Sequence, residues 1–509
     1  MKNKKLLQFP HPFFSDRPSW KWFILLNVLI GATMSALDVS IVNVAMPTLK
    51  MEFNTSMAVI EWVAMAYMIT LTVLLPFFGR LADVLGRSKL YNCGFVIFTI
   101  GSWLCGMATS ASFIIGARVL QAVGAGLLQA NSVALITQAF PGNERGKAIG
   151  IQGAVQAIAM AVGPFVGGVL ISAVGWRLVF YINIPIGILG TIAALFILPA
   201  QEKSNVKQSI DYLGTVFFAS GLAFLVLLFN EVVKLGWESP LILTYGVLSA
   251  ILLGLFVITE LKVENPLLDI NMFRSPTFLL GNLTGMLSYY VLFAVLFLMP
   301  FYCERVLNYS PALTGSLLTP IPLAMAIVAP FAGWVSDKYR GGTRLMTAGG
   351  MLVCAFACFA LLFLGNHAHL VVLVGELILL GLGMGMFTPP NNSAIMGAAP
   401  REKLGLAGGI LNMMRSLGLI FGVDISGLVF TSLEHKYLST HGYHHVAHVF
   451  LDGRIPLAMK DHAFMRGFII VIGVLLVINL FASLLSAFKQ GVELDAEALA
   501  AAKEAEAAA

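Results

Sequence analysis

The chain has 509 residues, of which 58% are hydrophobic and 11% charged, with a formal net charge of +5. Soluble domains carry about 25% charged residues, and a soluble chain of this length would divide into roughly two to four domains. The apolar runs are too many and too long to be the cores of such domains. The composition excludes an ordinary soluble protein and points to an all-α polytopic membrane protein embedded in a lipid bilayer.

In chain order, residues 1–22 are polar and basic, with no cleavage site after their apolar stretch, and read as a cytoplasmic tail before a retained first helix. Apolar windows then predict fourteen spans, at 23–49, 58–79, 90–109, 112–138, 146–173, 178–198, 211–230, 240–260, 277–303, 311–333, 345–365, 369–391, 404–432 and 467–488. This gives an N-terminal six-helix bundle at 23–198 and a C-terminal one at 277–488, with two inserted helices in the linker 199–276. Residues 433–465 form an extracytoplasmic loop, and 489–509 an Ala/Glu-rich cytoplasmic tail. Twenty-one of the 31 lysines and arginines fall in the tails and the loops after even-numbered spans. Eight fall in the alternate loops, and Arg118 and Arg415 lie inside spans. By the positive-inside rule, both termini are expected on the cytoplasmic side of the cell membrane. Cys93, Cys105, Cys303, Cys354 and Cys358 fall in or beside apolar spans and read as packing residues.

Span one holds a single formal charge, Asp38, in 27 residues. An ionised, unpaired carboxylate inside a bilayer costs several kcal/mol, so an intramembrane acid is a functional-site hypothesis by default. At ~1.5 Å per residue Asp38 lies ~22 Å from the cytoplasmic end, in the outer half. Arg118 in span four lies ~9 Å below its outer end, at a similar level, so a direct or water-mediated pair is allowed. Arginine favours the charged carboxylate while burial disfavours it, and access from one side or the other shifts the balance. That is the chemistry of a proton carrier; a fixed structural ion pair is the rival reading.

The chain repeats itself. GRLADVLGRSKL after span two matches GWVSDKYRGGTRL after span ten, with Gly79 and Asp83 against Gly333 and Asp337 at a spacing of 254. PGNERGKAIGIQGA matches APREKLGLAGGILN, with Glu144 against Glu402 at a spacing of 258. Spans one to six therefore recur as nine to fourteen, the duplication expected of transporter halves. At the second offset Glu376 stands where Arg118 stands in the first half. No acid answers Asp38 near Tyr290 and Val291, so the halves are chemically unequal.

These stretches resemble the major facilitator superfamily, in particular its fourteen-helix drug–proton antiporter branch, over essentially the whole chain. GRLADVLGR (Gly79 to Arg87) resembles the superfamily's loop motif, and LDVSIVNVAMP (Leu37 to Pro47) the first-helix motif of the branch. RVLQAVGAG (Arg118 to Gly126) resembles the fourth-helix motif linked to proton coupling. GPFVGG (Gly163 to Gly168) and WRLVFYINIPIG (Trp176 to Gly187) resemble the fifth-helix antiporter motif and the segment after it. The resemblance implies two rocking six-helix bundles around a central cavity, with proton-driven export of lipophilic compounds, cationic ones in particular. A transporter of one metabolite, siderophore or anion on the same fold is the alternative.

On this reading Asp38, Arg118 and Glu376 are the proton-coupling candidates. Gly79, Arg80, Asp83, Gly86, Arg87 and Asp337 are expected to form a cytoplasmic latch, with Asp83 near the start of helix three, where the helix dipole favours an anion. Gly163, Pro164, Gly167 and Gly168 would allow close packing, a kink, and a hinge and seal between the halves. Expected cavity residues are Glu61, Trp62, Tyr67, Gln121, Asn131, Tyr289, Tyr290, Asn412, Arg415 and Asp424, with Asn27, Asn43, Gln129 and Asn282 on the same faces. Arg415 is a candidate partner for Glu376, and Asp424 an acid at the cavity mouth or the interface.

The loop 433–465 holds His435, His441, His444, His445, His448 and His462, whose spacing fits no firm metal template and reads as a hydrated, titrating loop. No G-x-x-x-x-G-K-[ST] is present, so no ATP engine is expected from this chain. An embedded enzyme is disfavoured by the internal repeat and for want of any nucleophile–base, zinc or dinucleotide pattern; a passive channel is a third class, which saturable counterflow would exclude. The expected cofactor list is empty apart from protons as coupling ion. The partners are drug-like small molecules and lipid, without nucleic acid. A monomer is expected, with a periplasmic adaptor left open.

Overall fold

The computed structural model describes residues 19–199, 211–263, 267–268, 270–339, 341–365, 369–441, 443 and 456–488. Most of the N-terminal tail, the Ala/Glu tail, Arg340, and His444, His445 and His448 lie outside the described residues, as does the side chain of Asn43.

The described chain is helical, without a strand among the described residues. Its long helices follow the predicted spans: α1 Trp20–Glu52, α2 Met57–Leu85, α3 Arg87–Gly106, α4 Ala111–Ala139, α5 Gly142–Ala173, α6 Asn183–Ile197, α7 Tyr212–Leu235 and α8 Pro240–Glu260. The second half follows with α9 Pro276–Phe301, α10 Pro320–Lys338, α11 Gly342–Leu361, α12 Leu370–Ala398, α13 Leu404–Thr440 and α14 Leu457–Ala487. Among the described residues, thirteen helical spans are long and apolar enough to cross a membrane. The remaining long helix, α3, has 20 residues and opens on the polar run Arg87, Ser88, Lys89, Tyr91 and Asn92, which lowers its hydropathy. Several helix starts are set locally. Ser56, Ser110 and Ser275 accept hydrogen bonds from Val59, Phe113 and Phe278 N–H groups that lack intrahelical partners.

Helices α1–α6 pack on one another as one bundle and α9–α14 as a second, while α7 and α8 pair together and lean through α7 on α2 and α13. The bundles meet mainly where α2 crosses α13 and α5 crosses α10, with further contacts of α4 on α13 and α5 on α12. Both principal crossings are glycine-mediated. Gly79 lies against the Gly405 carbonyl and, one turn on, Gly409 against the Leu75 carbonyl beside Pro76. In the other copy Gly333 lies against the Gly146 carbonyl and Gly150 against the Ala329 carbonyl beside Pro330. A β-carbon at any of these glycines would have to displace backbone. Gly146/Gly150 and Gly405/Gly409 are thus two small-xxx-small ridges, the surface that lets helix backbones touch in a membrane.

Carboxylates finish each crossing at the face carrying the basic loops. Asp83 accepts hydrogen bonds from Gly405 N–H and Leu406 N–H, both at 2.8 Å. Arg87 holds the same carboxylate at 2.9 Å and donates to the Arg401 carbonyl at 2.8 Å. Asp337 accepts from Gly146 N–H at 3.1 Å and Lys147 N–H at 3.0 Å. Arg145 reaches from α5 to the Ser393 hydroxyl of α12 at 3.1 Å.

Two expectations change here. Asp83 caps α13 across the interface, because the unsatisfied N–H groups of that helix start are brought against α2; its link to α3 is the side chain of Arg87. Gly163 and Gly167 pack on Ser40 and Ile41 of α1 within one bundle, and Gly168 has nothing beside it. On α5 the contact between the halves is made by Gly146 and Gly150. Gly86, with φ of 103°, makes the sharp turn from α2 to α3 that its type predicted.

If the crossings hold this arrangement closed, Gly405→Leu leaves no room for α2. Spin labels at Val84 and Glu402 should then move apart by several ångströms in pulsed electron resonance. An unchanged distance distribution would mean that the glycine contacts do not set the closure.

Candidate functional site: a buried ion pair behind a central cavity

Asp38 and Arg118 meet. Arg118 Nη1 donates to Asp38 Oδ2 at 2.6 Å, and the two residues are 0% and 1% exposed. The other carboxylate oxygen accepts from Gln121 Nε2 at 2.8 Å and from Asn183 Nδ2 at 3.1 Å. Arg118 also donates through Nε to the Val63 carbonyl at 3.0 Å and through Nη1 to Gln121 Oε1 at 2.6 Å. Its guanidinium lies 4.0 Å from the Tyr67 ring centroid, a cation–π contact that covers one face. Gln121 Nε2 reaches the Ser102 hydroxyl at 2.8 Å. The network therefore draws on α1, α2, α3, α4 and α6, and buries one positive and one negative charge with most of their hydrogen-bonding capacity used.

A cavity of about 890 Å³ lies between the bundles. That is ample for a drug-sized molecule, whose sites span roughly 300–1,000 Å³. From the first bundle it is lined by Ser35, Ala36 and Val39 of α1, Met68 and Leu71 of α2, Gln129 of α4, and Gln156, Met160, Pro164 and Phe165 of α5. From the second come Tyr289, Phe293 and Leu296 of α9, Met325 of α10, Met384 and Thr388 of α12, and Asn412, Arg415 and Ser416 of α13. Flexible methionines beside aromatic rings make a wall that can adapt to different shapes.

The predicted cavity residues divide. Tyr289, Asn412, Arg415, Gln129 and Pro164 line it. Tyr67 and Gln121 belong to the buried network behind it. Tyr290 accepts a hydrogen bond from Ser426 at 3.3 Å, in the packing of α9 on α13. Asn131 donates to the Leu127 carbonyl at 2.8 Å, Asn282 to Phe278 at 2.9 Å and Asn27 to Gly190 at 3.1 Å, so these amides serve helix packing. Glu61 is half-buried and Trp62 exposed near the start of α2. Neither Asp424 nor Glu376 lines the cavity. Glu376 is buried beside Tyr302 in the apolar cluster of Leu373, Leu377 and Leu380. Arg415 lies instead 4.9 Å from the Tyr289 ring and 3.4 Å from Asn412 Oδ1. Arg80 is buried near Glu260 at the end of α8. All five cysteines are unbridged, and no metal-binding cluster occurs among the described residues.

Residues that sequence reasoning passed over are Ser102 and Asn183 in the network, and the interface glycines Gly146, Gly150, Gly405 and Gly409. The four-residue glycine spacing was the available signal for the latter.

Two repeated bundles clasped at one face, with a cavity between them and a charged pair behind it, define a polytopic membrane transporter. The chain belongs to the Major Facilitator Superfamily, whose pattern matches residues 28–423. It is 39% identical over 402 residues to the riboflavin transporter RibZ of Clostridioides difficile, covering 79% of this chain and 86% of that protein. It is 31% identical to the multidrug resistance protein Stp of Mycobacterium tuberculosis, covering 81% of this chain and 76% of that one. Identity to the multidrug transporter protein MdtP of Bacillus subtilis is 30%, over 83% and 78% of the two chains. Among solved structures, the human organic anion transporter MFSD10 superposes with a TM-score of 0.61 at 13% identity, covering 91% of this chain and 100% of that one, a likeness of fold.

Removing one member of a buried pair strands the other, at a cost of about 3–5 kcal/mol. Asp38→Ala and Arg118→Ala should each lower the thermal unfolding midpoint in detergent, and the double variant should be no less stable than Asp38→Ala alone. Strictly additive losses in scanning fluorimetry would show that the pair is not energetically coupled.

Proposed function

We propose that this transporter exports small, largely apolar organic molecules in exchange for protons, by alternating access of the two bundles. The basic loops face the cytoplasm in this reading, so the clasped arrangement is the one closed to the cytoplasm. Its parts are the Asp83 and Asp337 caps with Gly79, Arg80, Gly86 and Arg87. The chain works as a monomer, with protons as the coupling ion.

The observation that carries the proposal is the double use of one helix turn in α1. Ser35, Ala36 and Val39 line the cavity, while Asp38 among them turns into the buried network. Substrate in the cavity and a proton on Asp38 therefore act on the same helix. Neutralising Asp38 leaves the Arg118 guanidinium without its counter-charge, so α1 must shift or water must enter. Gly163 and Gly167 seat α5 directly on α1 at Ser40 and Ile41. The same α5 carries Gly146 and Gly150 into the crossing with α10, so movement of α1 has a short packed path to the latch.

The similarity to RibZ supports a second reading, in which the cargo is riboflavin or a like metabolite. A flat heteroaromatic ring with an amide-rich edge suits a cavity lined by Gln129, Gln156 and Asn412 beside Tyr289 and Phe293. The multidrug names of Stp and MdtP, at about 30% identity, support the broader reading.

Proteoliposomes with an imposed pH gradient separate these. Wild-type protein should drive labelled substrate against its gradient, collapse of the pH gradient should abolish this, and Asp38→Asn should lose uphill movement. Glu376→Gln should retain it. Uphill transport that survives a collapsed gradient refutes proton coupling, and movement of riboflavin but not of an unrelated neutral aromatic such as acridone selects the second reading.

A further inference from the structure

Charge in the cavity wall is one-sided. Of the described residues that line it, Arg415 alone bears a formal charge. Glu376, a proton-coupling candidate from the sequence, and Asp424, an expected acid at the cavity mouth, do not line it, and Asp38 is already paired with Arg118 behind the wall. Arg415 is itself half-buried on α13, with its guanidinium 4.9 Å from the Tyr289 ring centroid. Its hydrogen bond to Asn412 Oδ1 is long, at 3.4 Å. Guanidinium N–H groups are thus left for a ligand, in a setting where a second positive charge is repelled through a low-dielectric wall.

The surfaces around Arg415 are flat and aromatic. Tyr289 and Phe293 stack with rings 6.3 Å apart and 22° from parallel. Phe165, 74% exposed, lines the cavity from the facing bundle. Polar groups sit at its edges. Half-buried Gln129 and Gln156 place amides there, and the Thr388 hydroxyl is buried without a partner. A buried hydroxyl such as that of Thr388 is unfavourable until a ligand satisfies it.

We infer that Arg415 is the charge filter of the cavity, which selects planar aromatic molecules that are anionic or neutral with a carbonyl edge, and rejects cations. This deepens the transport reading above and rests on it for its biological meaning, but it concerns equilibrium binding and does not need protons to move. The guanidinium takes the anionic or carbonyl edge by charge-assisted hydrogen bonds, and the Tyr289–Phe293 stack takes the ring face. A lysine keeps the charge at this position while losing the planar fork.

Binding to the purified full chain in nanodiscs, read by fluorescence polarisation, tests this with three tricyclic probes: fluorescein as anion, acridone as neutral molecule and ethidium as cation. The wild type should bind fluorescein and acridone more tightly than ethidium, by about tenfold or more for a like charge brought close to Arg415. In Arg415→Gln the fluorescein-to-ethidium affinity ratio should fall by about tenfold, and Arg415→Lys should restore most of it. A residue that only packs would change all three affinities together and leave the ratio in place. Ethidium binding as tightly as the other two, a ratio unmoved by Arg415→Gln, or no binding of fluorescein and acridone would each overturn the filter. Loss of gradient-driven transport with the binding ratio intact would instead count against proton exchange.

Discussion

A charge in hydrocarbon has to be answered within the protein, and the Asp38–Arg118 pair is where this chain meets that demand. Neither residue touches water, so each fixes the other, and the remaining donors and acceptors recruit Gln121, Asn183, Ser102 and the Val63 carbonyl. Five helices of the first bundle are thereby tied to one point. Such a pair adds little net stability over a well-packed apolar core, because desolvation offsets most of the attraction. What it does impose is a strong dependence of local structure on the charge state of one carboxylate.

The clasp at the basic face follows different physics. Here the two halves act alike: proline, glycine and aspartate recur at the same intervals in α2 and α10, and each set meets a glycine ridge in the opposite bundle. Pro76 and Pro330 leave an acceptor free one turn back. The glycines then bring backbone onto backbone, and the carboxylates accept N–H groups near the start of the partner helix. Every contact is short-ranged and depends on close approach, so the clasp is either made or absent. Interfaces of this kind switch between arrangements rather than stretch.

The architecture was largely legible from the residues, because span length, basic-loop asymmetry and an internal repeat each report on a bilayer and need no partner to be read. The pairing of Asp38 with Arg118 was legible for a related reason: two lone charges at one depth have few other ways to be satisfied. Legibility failed where a side chain's role depends on which neighbour it faces. Asn131, Asn282 and Asn27 looked like cavity amides, yet each donates to a helix carbonyl. Glu376 shares the depth of Arg118 in the repeat but sits beside Tyr302, away from the cavity. Asn183 was hidden in an apolar run, and its partner is 145 residues away. Helical phase fixes one face of a residue, whereas these assignments need the rotation of two helices at once.

The separation of charges has a consequence for coupling. The pair that would carry the proton is neutral as a unit and walled off, while the cavity carries one uncompensated guanidinium. A cationic cargo would need an acid in the wall, and the acid at hand is Asp38; cargo and proton would then compete for one carboxylate. With Arg415 facing the cavity and Asp38 facing Arg118, that direct competition is unavailable. In the proposed exchange, coupling would pass through the position of α1, whose two faces would meet cargo and proton separately. On that proposal the cost of stranding Arg118 would reach the clasp through the close packing of α5 on α1, whichever molecule fills the cavity. A broad or a narrow choice of cargo is therefore compatible with one coupling device, provided the cargo does not carry a charge that Arg415 repels.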